Sequence, residues 1–262
     1  MPPAALILGS LLAGVVLGSF ANVVIARVPR QQSVVRPPSA CPQCGTEIRP
    51  RDIVPILSWL WLRGRCRHCH QPISGQYPLV ELGCGLLFAA IAWRIGWTWA
   101  LPAYLLFGWV LLVVAVIDLQ TFRIPNRLTY PLTPALLGLL VVAALAEDVP
   151  GAALRAVLAA VLAFTLLLVM ALINPRGMGM GDVKLAAFIG LGLGYIGWSY
   201  LWLGLFAGFF GGGIIAALLL VSGVRGRKDS IPFGPWLALG AMVALLAGRP
   251  IIDIYLRWSG MT

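Results

Sequence analysis

Gly177-Met178-Gly179-Met180-Gly181-Asp182-Val183-Lys184 stands between two apolar runs, Leu158–Ile173 and Leu185–Ile196. Its carboxylate therefore falls where a membrane helix begins. Three glycines in five residues open the backbone to unusual conformations and to close approach by another chain. A carboxylate at a membrane edge is costly, and it calls for a function and a partner. The partner is Asp118, which closes the apolar run Leu101–Ile117. The competing reading is a flexible glycine loop in which Asp182 merely caps the next helix.

Composition sets the class around this stretch. The 262 residues are 60% hydrophobic and 11% charged, with a mean hydropathy of +0.92; a soluble domain carries about 25% charged residues. The chain reads as an all-α polytopic membrane protein with about eight transmembrane helices. Its net charge of +10 fits basic cytoplasmic loops rather than nucleic-acid binding.

The apolar runs are Ala4–Ala26, about Pro78–Trp93, Leu101–Ile117, Leu132–Ala146, Ala152–Ile173, Val183–Ile196, Ser199–Val221 and Pro235–Ala247. No basic side chain precedes the first, and Arg27 and Arg30 follow it, the reverse of a secretory leader. This predicts a retained anchor with its N-terminus outside. Threaded from there, the inside loops collect Arg27, Arg30, Arg36, Arg49, Arg51, Arg63, Arg65, Arg67, Arg123, Arg127, Arg176, Lys184, Arg225, Arg227 and Lys228. Arg94, Arg155, Arg249 and Arg257 remain outside, as do Glu147 and Asp148. Fifteen basic residues against four is a strong inside bias. This topology puts Asp118 and Asp182 at one depth on the cytoplasmic side. Trp93, Trp97 and Trp99 cluster as an interfacial belt does.

Four segments follow: residues 1–26, a first membrane helix; 27–76, a hydrophilic cytoplasmic loop; 77–100, a second helix and outer loop; and 101–262, a six-helix core. The hydrophilic loop holds eight arginines and two CxxC turns, Cys41–Cys44 and Cys66–Cys69, with 21 residues between them. Two such turns complete a tetrahedral thiolate site. The competing disulfide reading suits an oxidising compartment, which eight arginines argue against. The loop is expected to be ribbon-like and to hold a structural zinc on Cys41, Cys44, Cys66 and Cys69. His68 and His70 are then surface residues, with a Cys/His exchange of one ligand as the other arrangement. Cys84 is read as a packing residue. In the first helix, Gly18 and Ser19 suit helix packing; Asn22 either bonds across a helix interface or touches substrate.

Two carboxylates within a few ångströms hold one proton between them. One can deprotonate a water while the other polarises a peptide carbonyl, which is aspartyl proteolysis. No phosphate-binding Gly-Lys-Ser/Thr loop and no HExxH helix is present. The glycine-rich stretch has no βαβ surroundings that would make it a dinucleotide site.

These residues resemble a known family. Gly179-Met180-Gly181-Asp182-Val183-Lys184 is similar to the GxGDxK motif of type IV prepilin leader peptidases, relatives of the presenilin-like membrane proteases. Asp118-Leu119 followed by Ile124-Pro125-Asn126 resembles the motif of the first catalytic aspartate. The resemblance continues at Gly18–Val24, Arg27-Val28-Pro29, both CxxC turns, Tyr77–Glu81 and Pro232-Phe233-Gly234-Pro235, so it covers nearly the whole chain. It implies catalysis by Asp118 and Asp182, with Gly179, Gly181, Lys184, Asn126 and Asn22 as supporting motif residues. It implies removal of the basic leader of prepilins or pseudopilins at the cytoplasmic face of a prokaryotic inner membrane. It also implies N-methylation of the new terminal residue with S-adenosylmethionine, for which no donor site is recognisable in the residues. Arg176 and Lys184 either act near the pair or serve as inside-facing anchors. A peptidase that cleaves without methylating is the nearest alternative; a proton-coupled transporter and an inactive assembly scaffold are more distant ones.

Overall fold

The computed structural model describes residues 3–174, 178–222 and 232–260. Gly177, Arg176, Arg225, Arg227 and Lys228, all used in the sequence reading, lie outside the described residues. The chain divides into two compact units, Met1–Trp97 and Thr98–Thr262. Helix dominates, and the described residues contain no strand beyond two isolated antiparallel bridges, Ala40 with Glu47 and Arg65 with Pro72.

The first unit contains α1 (Ala4–Arg27), the short α2 (Leu57–Trp61) and α3 (Gln76–Ile95). Small residues let α1 and α3 approach closely. A Cβ on Gly14 would lie 2.7 Å from the Cys84 carbonyl oxygen, and one on Gly18 would lie 2.7 Å from Cα of Glu81. Cys84 is fully buried in this seam.

The second unit contains α4 (Leu101–Thr121), α5 (Asn126–Ala146), α6 (Pro150–Ile173), α7 (Met180–Ile196), α8 (Trp198–Val221) and α9 (Gly234–Trp258). Among the described residues, seven helices are long and apolar enough by themselves to cross a membrane, and α7 is not among them. The chain is a multi-pass membrane protein. With α7 these match the expectation of about eight helices; α7 is the short one, with 17 residues, about 25 Å of helix against a hydrocarbon core of about 30 Å. Protein packs around it. Val183, Leu185, Ala186, Phe188, Ile189 and Leu193 are all fully buried, and Gly190 lies against the backbone of Ala159 and Ala160 on α6.

Two boundaries differ from the apolar runs. The run Leu132–Ala146 becomes a helix that starts at Asn126 and passes through Pro131 and Pro134. Burial of Leu128, Leu136, Leu140 and Ala143 along one face outweighs two prolines that each remove a helix bond. The last helix continues through Pro250 to Trp258. At the end of the unit away from the aspartates, Glu147 Oε1 accepts the Trp99 backbone N–H at 2.8 Å, which ties the end of α5 to the start of α4. Trp93, Trp97 and Trp99 are all largely exposed.

Candidate active site and cysteine cluster

Asp118 sits in the last turn of α4, which closes as Phe122 turns left-handed (φ 55°) and donates its N–H to the Asp118 carbonyl. The Ile124-Pro125 break follows, and α5 begins. The Asp118 side chain is 4% exposed, and its Oδ2 accepts the backbone N–H of Gly234 at 3.0 Å.

Asp182 lies in the first turn of α7 and is 9% exposed. Its Oδ2 accepts the N–H of Gly179 at 3.2 Å, so the helix-capping role weighed above is present. It does not account for the whole site, because the start of α7 packs through Gly181 on Ile124, which also lies against Gly234, the residue that holds Asp118. Ile124 lies between their supports. A Cβ on Gly181 would stand 2.9 Å from Ile124 Cβ, and one on Gly234 would stand 3.1 Å from Ile124 Cδ1 and 2.8 Å from Asp118 Oδ2. Gly181 is helical and has no positive φ. The expectation of an unusual backbone angle there gives way to a requirement for space.

Lys184, one turn along α7, donates from Nζ to Asn126 Oδ1 at 2.9 Å and lies 4.9 Å from the centre of the Tyr130 ring. Asp118, Asp182, Gly179, Gly181, Lys184 and Asn126 therefore share one end of the second unit. Asn22 and the four cysteines belong to the first unit, where Asn22 donates from Nδ2 to the Tyr77 carbonyl at 3.0 Å.

The sulfurs of Cys41, Cys44, Cys66 and Cys69 lie within 4.8 Å of one another. The two knuckles repeat one backbone plan. Cys41 N–H donates to the Thr46 carbonyl and Gly45 N–H to that of Cys41; Cys66 N–H donates to Gln71 and His70 N–H to Cys66. Gly45 (φ 70°) and His70 (φ 57°) hold the matching left-handed positions. His70 is thus part of the turn, and neither histidine joins the sulfur cluster.

The set fits a tetrahedral metal. Cys41 Sγ and Cys69 Sγ are 3.8 Å apart, close to the edge of roughly 3.8 Å implied by bonds of about 2.3 Å, and the cysteines are free of disulfides. Hydrogen bonds from the Thr46 hydroxyl and backbone pull the Cys44 thiol down to about 6. Cys69 accepts a backbone hydrogen bond from Gln71 that lowers it, yet burial and the three neighbouring thiols push it up to about 11. Four thiolates this close need a cation among them.

Residues 12–95 match the bacterial peptidase A24 N-terminal domain, and residues 105–221 match the type IV leader peptidase family. A prepilin leader peptidase/N-methyltransferase of Stutzerimonas stutzeri is 36% identical, over 98% of this chain and 96% of its own length. The chain belongs to the type IV leader peptidase family. Proteins of the same description from Pseudomonas aeruginosa and Bacillus subtilis are each 34% identical, over 98% and 94% of this chain and 96% of theirs. No solved structure matches the chain.

Two residues around the aspartates escape a reading of residues one by one. Gly234 stands in the Pro-Phe-Gly-Pro stretch, a signal of a tight helix start but not of a bond to Asp118. Ile124 is one more apolar residue until both glycines are seen against it.

Proposed function

We infer that the chain is a membrane aspartyl endopeptidase that removes the leader from prepilins or pseudopilins and N-methylates the residue this exposes. Asp118 and Asp182 are the catalytic pair. The observation that carries the reading is that two buried carboxylates stand on opposite sides of Ile124, in a chain alike over nearly its whole length to prepilin leader peptidases.

Two carboxylates at one buried site resist joint ionisation, so the pair shares a proton. One carboxylate takes a proton from water as it attacks the scissile carbonyl, and the other donates a hydrogen bond to the developing oxyanion. Collapse of the tetrahedral adduct breaks the C–N bond, and the departing amine takes the proton. Gly234 N–H holds Asp118 and Gly179 N–H holds Asp182, so both carboxylates are aimed before substrate arrives. Lys184 and Asn126 brace the site from α7 and α5. The pair works at the cytoplasmic face of a prokaryotic inner membrane, where the inside-facing arginines also lie. A prepilin's apolar helix stays in the bilayer while its basic leader meets the pair.

The metal of the cysteine cluster is zinc, and it is structural, because four thiolates fill a tetrahedral shell and leave no position for a water. S-adenosylmethionine supplies the methyl group, and the methylation step uses no residue of the aspartate pair.

The test is to incubate the purified protein in detergent with a prepilin, with and without S-adenosylmethionine, and to weigh the product. The expected product lacks its leader, and it carries one extra methyl group only when the donor is present. Proton-coupled flux with no cleavage would instead make the chain a transporter. Cleavage without the methyl would leave a peptidase alone.

A further inference from the structure

Between α1 and α3 the chain carries one strongly apolar run, Ile53-Val54-Pro55-Ile56-Leu57-Ser58-Trp59-Leu60-Trp61-Leu62, and α2 forms within it. Leu57, Leu60 and Trp61 share one face of α2, spaced i, i+3 and i+4. They are 64%, 57% and 85% exposed. Surfaces that meet only water seldom gather large apolar side chains in this way.

Two anchors fix the level at which that face stands. Ahead of α2, the Ile56 backbone N–H donates to Glu81 Oε2 at 2.7 Å. Glu81 is the sixth residue of α3, and a Cβ on Gly18 would stand 2.7 Å from its Cα. Gly18 precedes the end of α1 by nine residues, about 13 Å along the axis, which is further than a glutamate side chain reaches. Ile56 is therefore beside the membrane-spanning part of this helix pair and not above it. At the other end of α2, Trp59 Nε1 donates to the Ile73 carbonyl at 3.2 Å, and Ile73 N–H donates to the Gly64 carbonyl at 2.7 Å. Ile73 stands three residues before α3. The short helix thus runs from the depth of the first turns of α3 to the level at which α3 emerges. Leu79 and Leu82 on those first turns are exposed too, as side chains facing hydrocarbon are.

The deep anchor is held at a cost. Ile56 has φ 61° and ψ −53°, and Leu57 N–H reaches the Pro55 carbonyl at 2.6 Å. This is a γ-turn of the rare, strained hand, on a β-branched residue that disfavours positive φ. Strain of this kind persists where the surroundings enforce it, and it gathers at functional sites.

Charge changes over the same distance. Arg63 and Arg65 follow α2 and are exposed, and no ion pair among the described residues involves either. Arg67, by contrast, is held by Asp52 at 2.9 and 2.6 Å. Arg63 and Gly64 both have positive φ, 51° and 66°, and a Cβ on Gly64 would stand 2.8 Å from the Trp59 ring. This tight turn sets the two arginines at the emerging end of the apolar face. Leucines below, an indole next and arginines above match the passage from hydrocarbon to headgroups.

We propose that α2 is an interfacial anchor: Leu57, Leu60 and Trp61 insert into the leaflet in which α1 ends and α3 begins, and Arg63 and Arg65 bind anionic lipid headgroups there. The occupant is the lipid surface because the face stands at membrane depth and ends in positive charge. An apolar segment of another protein would need the face clear of the bilayer. Cys66 follows Arg65 directly, so the anchor also holds the second cysteine knuckle against the membrane plane.

The experiment uses the full-length protein in vesicles of equal parts phosphatidylglycerol and phosphatidylcholine. In parallel samples a trace of one lipid or the other carries a diazirine on its acyl chain, and the labelled residues are mapped by mass spectrometry. The unaltered protein is expected to be labelled within residues 57–65, roughly fivefold more by the phosphatidylglycerol probe. This arm needs no variant to fold. Arg63→Gln with Arg65→Gln should bring the two probes close to parity, with the metal content of the parent and unchanged labelling of residues 79–86. Trp61→Asp should lower labelling of residues 57–62 several-fold with both probes. Labelling of residues 79–86 without any at 57–65 would overturn the anchor, as would equal labelling by the two probes in the parent. Chemical cross-links from residues 57–65 to residues 98–262 or to an added prepilin, in place of lipid adducts, would show that protein covers this face and would also overturn it.

Discussion

The backbone N–H of Gly234 holds Oδ2 of Asp118 at 3.0 Å, joining the first turn of α9 to the last turn of α4 across 116 residues of sequence. A Cβ at residue 234 would stand 2.8 Å from that same oxygen. Gly234→Ala therefore displaces the carboxylate without touching its chemistry. A shift of this size at a reacting group costs about 10²-fold. Leader cleavage by Gly234→Ala is expected to fall by roughly 10–100-fold, with the melting midpoint little changed. Cleavage at the parent rate would show that the contact does not position Asp118.

Asparagine keeps the shape of either aspartate and its capacity to accept the Gly234 or Gly179 N–H, but it cannot share the proton. Asp118→Asn and Asp182→Asn should each lower the cleavage rate by about 10²–10⁴-fold, the usual worth of general acid–base catalysis. Neither should unfold the protein, since asparagine keeps the acceptor that each backbone N–H uses. Gel assays of prepilin processing and thermal melts of both variants read the two effects separately. If either variant cleaves within a few-fold of the parent, the pair is misassigned.

The two glycines flanking Met180 should behave differently. At residue 181 a Cβ meets Ile124 Cβ at 2.9 Å, and no rotation of the isoleucine side chain moves that atom away. At residue 179 the nearest atom is Asp182 Oδ2 at 3.5 Å, an ordinary contact. Gly181→Ala should thus lower cleavage at least about tenfold through the displaced start of α7, and Gly179→Ala should stay within a few-fold. The reverse order would mean that backbone freedom, rather than space, is what the motif needs.

Much of this arrangement was legible because membranes simplify sequence. Apolar runs mark the helices, and the sidedness of arginine assigns their ends, so the C-terminal end of α4 and the N-terminal end of α7 fall at one depth. The CxxC turns announce themselves because thiolate spacing around a metal admits few alternatives. What stayed hidden depends on contacts made across long separations. Asn126 begins α5 despite Pro131 and Pro134 only because a buried face extends back to Leu128. The length of α7 is a matter of what surrounds it. The strained turn at Ile56 has no local signature, since its N–H is aimed by a carboxylate 25 residues away.

Arg155 illustrates the same limit at the opposite end of the core. Counted from sequence it is one of four basic residues outside the inside loops. In the fold, its guanidinium donates to the carbonyls of Gly194, Tyr195 and Ile196 at 2.8, 2.6 and 3.3 Å. These are carbonyls that the end of α7 leaves without helical donors, and a cation there also suits the helix dipole. Arg155→Met keeps the stem and removes the donors. It is expected to lower stability by about 1–3 kcal/mol and the melting midpoint by several degrees, while residual folded protein still cleaves. An unchanged midpoint would show that water or lipid replaces the guanidinium at no cost.

The cysteine cluster separates structural from catalytic use of a metal. Its four sulfurs sit within 4.8 Å of one another, and a metal held by all four has no open position at which to activate water. The peptidase chemistry assigned to Asp118 and Asp182 then needs no metal. Because a small metal-bound knuckle folds with its ion, replacing Cys41 and Cys44 with serine should abolish metal binding and loosen the segment between α1 and α3. The N-methyltransferase reading associates methyl transfer with this loop, so methylation should be lost with the metal. Cleavage of a short leader peptide should persist, reduced to the extent that the loosened loop disturbs the protein as a whole. Metal analysis, methyl incorporation and peptide cleavage, measured on one preparation, decide the matter. A zinc-free protein that methylates at the parent rate would remove the cluster from the methyl-transfer site, and complete loss of cleavage from a protein that still melts cooperatively would give the metal a part in proteolysis that its closed shell does not allow.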